Sequence, residues 1–186
     1  MRQIRYGVFE SNSSSTHSIA IPKSCDNTNY ISFRIGEFGW EWGEADPADY
    51  FYTAIYETSH STSEVEEKIE KLKNILDSHG IKYHFGEVLH SDHNYLSLDY
   101  GYIDHGYELI DFVDELLNDG DKLVRFLSMG FVFTGNDNSD AEERCFIERD
   151  QEFLDGYNWQ TNTESKIKNP YYMTDHNEYD WYWKGN

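Results

Sequence analysis

The chain has 186 residues, 38% hydrophobic and 17% aromatic, and sets 35 aspartates and glutamates against 15 lysines and arginines, a formal net charge of −20. That length suffices for one domain with a real core, and the aromatic content is too high for a disordered acidic chain. The charge excludes an ordinary binder of free nucleic acid, which gains affinity by replacing counterions with lysine and arginine; it leaves plain solubility, a basic protein partner, or nucleic acid met inside a basic ribonucleoprotein.

No long apolar run follows the opening MRQIRYGVF, so no signal peptide is expected, and no stretch approaches the ~18 apolar residues of a membrane span. Residues 4–9 and 18–22 read as short strands around a polar segment, the second stopping at Pro22. Cys25 and Cys145 are the two cysteines, and neither stands in a CxxC. Zinc-ribbon and thioredoxin readings therefore fail, one disulfide is allowed, and a reducing cytoplasm is the default. YISFRI, residues 30–35, is a third strand with Ile31, Phe33 and Ile35 on one face. Residues 36–47, rich in glycine, acid and tryptophan, read as a loop ending where Pro47 opens a helix over 48–58. The clearest helix covers 64–78, with Val65, Ile69, Leu72 and Leu76 in one apolar stripe. Ser63 with Glu66 suits a capping box, and Gly80 lies just past the end. Residues 81–85 and 94–100 are strand candidates, 107–117 and 121–129 helices, and 131–134 a buried strand running into GNDNSD; a helix resumes near 140–154. The mixture predicts a single α+β domain over 1–186, with a mostly antiparallel sheet, three to five helices and an aromatic, acidic segment at about 170–186.

The polar segment is GVFESNSSSTHSI, residues 7–19. Five of the six residues from Ser13 to Ser18 carry hydroxyls; Glu10 stands before them and His17 among them. Small residues let backbone N–H groups converge on an anion, and hydroxyls add donors. Histidine, with an unperturbed pKa of about 6.5, can shuttle a proton. Glu10 can serve as its partner, as a base or as a metal ligand. With Asn12, Ser13, Ser14 and Ser15, and with Arg5 and Thr16 as further substrate contacts, these are the parts of a phosphodiester-cleaving site. A turn is the plainer alternative, since Ser, Asn and Thr bond their own backbone. The segment is longer than most strand connections and holds no glycine past Gly7, which counts against a mere turn.

Asp137, flanked by Asn136 and Asn138, is expected beside the serine segment at one end of a sheet, or else in a second Asx-rich turn. No cofactor is required by the sequence, but Glu10 and Asp137 together would make a carboxylate pair able to bind Mg²⁺ or Mn²⁺. His90, Asp92, His93, Asp104 and His105, with His84 nearby, offer ligands for a transition metal. Their spacing matches no zinc signature, and ordinary surface histidines are the alternative. The tail, residues 171–186, mixes aromatic rings with acids: it covers the core or anchors a protein partner.

FESNSSSTHS, Phe9 to Ser18, resembles a motif near the N-terminus of small phage and prophage proteins that reads F-E-[ST]-N-S-S-S-[ST]-H-S; the preceding Gly7 and Val8 fit too. Some of these resemble phage-encoded anti-CRISPR proteins that disable an RNA-guided DNA nuclease, including a type that trims the guide RNA. The match covers about a tenth of the chain. The resemblance implies functional roles for Glu10, Asn12, Ser13, Ser14, Ser15 and His17. It also implies a CRISPR effector nuclease with its guide RNA as partner, the bacterial host cytoplasm as location, and neither a membrane nor free nucleic acid as a target; a homo-oligomer is allowed. Such an effector holds its guide in a positively charged channel, where an acidic protein can dock. The expected function is therefore an anti-CRISPR ribonuclease that trims the bound guide. The alternatives are a non-catalytic acidic DNA mimic that blocks the channel, and a phage enzyme acting on another nucleotide or phosphoester.

Overall fold

A computed structural model describes residues 15–26, 28–39, 43–91, 94–98, 101–104, 106–136, 152–158, 163–168 and 179–184. The architecture is α+β. Its centre is a four-stranded antiparallel sheet in the order β12 (Tyr179–Lys184), β1 (Ser15–Pro22), β9 (Phe131–Asn136), β4 (Gly43–Ala45). The strand expected at 18–22 thus begins three residues earlier, because β1 finds partners on both edges. Ile19, Ile21, Ala45 and Val132 from this sheet join the helices in one core.

Helix α1 (Pro47–Glu57) is the central helix. Asp46 caps it by accepting from the N–H groups of Ala48 and Asp49 at 2.8 and 3.2 Å, and Pro47 sits in the first turn, where no N–H is needed. The eight consecutive residues Ala48 to Ile55 are all buried. A helix buried on every side has to be surrounded, and α1 is: it packs on β9 and on the other three helices. Its two buried polar residues are satisfied. Asp49 accepts from the Arg34 backbone N–H and from Nε and Nη2 of the same side chain at 2.8, 3.1 and 2.9 Å. Thr53 accepts from the Gly36 N–H and donates to the Asp49 carbonyl. These bonds pin the chain after β2 (Tyr30–Phe33) to one face of α1 and fix its rotation.

Helix α2 (Thr62–Ser78) starts two residues before the expected position. Ser61, not Ser63, is the cap, accepting from the Glu64 N–H at 3.2 Å, while the Glu64 carboxylate reaches back to the His60 N–H at 2.8 Å. The run STSE offers two frames; this one also seats Glu64 against Lys68, whose Nζ is buried and donates to the Thr58 carbonyl and hydroxyl at the end of α1. At the other end Gly80 adopts φ +68, the left-handed conformation that closes a helix, with the Ile81 N–H returning to the Leu76 carbonyl. The chain then enters β5 (Lys82–Phe85), which pairs in parallel with β2 across the α1–α2 crossover. Phe33 and Phe85 stack there at 4.8 Å.

A 3-10 turn (Gly106–Leu109), α3 (Ile110–Asn118) and α4 (Gly120–Met129) complete the helical side. Arg125 on α4 donates Nε–H to the Pro22 carbonyl at 2.9 Å and so ties α4 to the end of β1. Two further pairs, β6 (His90–Ser91) with β7 (Asn94–Leu98) and β10 (Glu152–Asn158) with β11 (Thr163–Lys168), are antiparallel, while β3 (Glu37–Phe38) pairs in parallel with β8 (Tyr102–Ile103).

Two local expectations are corrected. The stretch 36–47 contains β3 and β4, short strands whose partners lie far along the chain. Residues 152–154, expected at the end of a helix near 140–154, belong instead to β10, which pairs with β11; residues 140–151 lie outside the described residues. Residues Tyr179–Lys184 of the aromatic tail form β12, which pairs with β1. The strand expected at 4–9 lies outside the described residues. Among the described residues no helix is long and apolar enough to cross a membrane.

Candidate functional site

Strands β1 and β9 run antiparallel with Ser15 opposite Asn136, Thr16 opposite Gly135 and His17 opposite Thr134. The serine-rich run enters β1 at Ser15, and the segment holding Asp137 leaves β9 at Asn136. Pairing therefore joins the ends of the two polar segments, Ser15 and Asn136, which lie 121 positions apart in the sequence. Ser15, Thr16 and Asn136 are located by backbone register. Arg5, Glu10, Asn12, Ser13, Ser14, Asp137 and Asn138 lie outside the described residues.

His17 is not in a loop. It is the third residue of β1, fully buried, on the same face as Ile19 and Ile21. Its Nδ1 lies 2.6 Å from the hydroxyl of Tyr50, also fully buried, on α1. The two rings are 5.6 Å apart and tilted, and Phe38 packs edge-on against Tyr50 at 5.3 Å. Burial pushes the Tyr50 phenol well above its ordinary pKa, so it stays O–H.

A second cluster shows how similar residue types fail to make a nucleophile. Ser24, Cys25, His79, Asp121, Val124 and Arg125 line a surface cavity of about 250 Å³. A cysteine, a histidine and an aspartate suggest a triad. However, His79 points Nε2 at Asp121 Oδ1 (3.0 Å) and Nδ1 at the Ile75 carbonyl (2.8 Å) and the Ser78 hydroxyl (3.2 Å). Neither nitrogen is left to take a thiol proton. Burial raises the Cys25 thiol, Arg125 opposes it, and Asp26 adds to the rise, so the sulfur stays a thiol near neutral pH.

Three of the six candidate transition-metal ligands lie among the described residues. His84 is exposed on β5, His90 is half-buried on β6 with its ring 6.1 Å from Tyr56, and Asp104 follows β8; Asp92, His93 and His105 lie outside the described residues. Among the described residues no group of three or more His, Cys, Asp or Glu is placed to hold a metal ion.

Tyr50 is the site residue that sequence reading missed. The stretch PADYFYTAIYE is apolar on every side, which signals a buried helix and hence a tyrosine hydroxyl in need of a partner. Nothing local says that the partner is His17.

These elements define an α+β protein with a buried histidine–tyrosine pair beneath the shared end of two polar segments. The chain matches no protein-family model, no curated protein and no solved structure.

Proposed function

We propose that this chain is a phage-type anti-CRISPR protein that trims the guide RNA held by an RNA-guided DNA nuclease. The site is the common end of β1 and β9. One observation supports this most: the Ser15–Asn136 register, which brings a hydroxyl-rich segment and an Asx-rich segment to one sheet end. Cleaving a phosphodiester requires a proton taken from the attacking oxygen, charge stabilised on the phosphate, and a proton delivered to the leaving oxygen. Asn12 and Ser13 to Ser15 are suited to hold the phosphate. Glu10 and Asp137 are the carboxylates for base chemistry or for a divalent cation. The charge of −20 suits docking in a basic channel rather than capture of free RNA.

Effector loaded with end-labelled guide, incubated with the protein and resolved on a denaturing gel, tests this. Shortened guide is expected with wild type, and intact guide with Glu10→Ala and His17→Gln, each shown by circular dichroism to be folded. Normal trimming by both variants sinks the site assignment.

A second reading has its own observation. Glu66, Glu67, Glu70 and Asp77 on α2, Asp111, Asp114 and Glu115 on α3, and Asp119 and Asp121 at the start of α4 are all exposed. That acidic helical surface suits a stoichiometric DNA mimic, for which the same gel shows intact guide while DNA cleavage is lost.

A further inference from the structure

From the hydrogen bond between the two buried rings we infer that Tyr50 is a positioning residue that holds His17 as the neutral imidazole protonated at Nε2. The assignment follows from counting protons in a closed space. Tyr50 and His17 are both fully buried, and their contact, Oη to Nδ1, is 2.6 Å. One proton lies between these atoms. If Nδ1 carried it, the phenol's own O–H would need another acceptor, and among the described residues Nδ1 of His17 is its hydrogen-bond partner. The neighbouring Phe38 ring, edge-on at 5.3 Å, offers none. An orphaned buried donor is disfavoured by roughly tenfold or more in population. A phenolate is excluded as well, because burial without a cation keeps Tyr50 protonated. Tyr50 therefore donates, Nδ1 accepts, and Nε2 carries the imidazole proton. An imidazolium would protonate Nδ1 too and strand the phenol proton in the same way.

This assignment narrows what His17 can do. A neutral imidazole with Nε2–H is a hydrogen-bond donor to developing negative charge, not a base. Its bearing on catalysis rests on the function proposed above: proton abstraction then falls to Glu10 or Asp137, and the fully buried His17 is not the base.

The tautomer is read directly by two-bond ¹H–¹⁵N correlation of the imidazole rings in uniformly labelled protein. His17, one of eight histidines, is identified by the signals lost in His17→Gln. The expected wild-type pattern has Nε2 at the protonated position and Nδ1 at the unprotonated one. In Tyr50→Phe, which removes only the hydroxyl, the tautomer ratio is expected to move at least tenfold towards Nδ1–H. A protonated Nδ1 in the wild type overturns the inference, even if Tyr50→Phe fails to fold; so does an unchanged pattern in a folded Tyr50→Phe. The spectra need no RNA. A protein that trims no guide overturns the functional reading, while the wild-type spectrum still decides the tautomer.

Discussion

His17 and His79 are the same side chain placed in opposite company. His17 lies in the middle of the sheet with a neutral hydroxyl donor against Nδ1; His79 caps the end of α2 with acceptors at both nitrogens. A donor beside one nitrogen keeps an imidazole neutral, whereas acceptors at both call for two protons. The Asp121 carboxylate, and after it the Ile75 carbonyl, accordingly raise the His79 pKa above 6.5, against the pull of desolvation. Which chemistry a histidine can offer is decided by its partners, and residue type alone does not reveal them.

The comparison can be broken from its larger side first. Tyr50→Ala removes a fully buried aromatic ring and the donor to His17 together. It should cost about 3–5 kcal/mol, the scale for deleting a large core side chain, read as a lower urea midpoint at unchanged slope. Tyr50→Phe keeps the packing and removes only the donor from a buried Nδ1. It should cost about 1–3 kcal/mol in the same measurement. A loss as large as that of Tyr50→Ala would show that the hydroxyl, rather than the ring, holds this part of the core.

The surface side gives the smallest effect and a different signature. His79 gains charge-favouring partners on folding, so its folded pKa lies above the unfolded value. Its contribution is fully present below about pH 6.5 and is lost as pH rises through the raised folded pKa. Because the Asp121 side chain is 81% exposed, solvent screening keeps that contribution below about 1 kcal/mol. His79→Gln should therefore flatten a modest decline in stability above pH 6.5 and leave the alkaline end unchanged. An identical pH profile for wild type and His79→Gln would remove His79 from the account.

Much of the helical side was legible because its signals are local. The stripe Val65, Ile69, Leu72, Leu76 marks α2, Pro47 marks the start of α1 and Gly80 the end of α2. The capping frame was ambiguous within STSE, and packing of Lys68 against Thr58 accompanies the frame adopted. The strands β3, β4 and β12 were not legible, since each depends on a partner distant in sequence. For His17 a signal was present: His17, Ile19 and Ile21 alternate with period two, which places the histidine on the buried stripe of a strand. The crowd of hydroxyls around it drew it into a loop instead.

The sequence alone determined the α+β mixture, the helices with apolar stripes and the identity of the polar segments, because propensity, capping and periodicity act within a few turns of chain. Tertiary structure decided that Ser15, in the serine-rich segment, pairs with Asn136, in the Asx-rich one. It also decided what His17 is. Its partner Tyr50 lies 33 residues away on a buried helix, and a donor at that distance is chosen by packing, which no local pattern encodes.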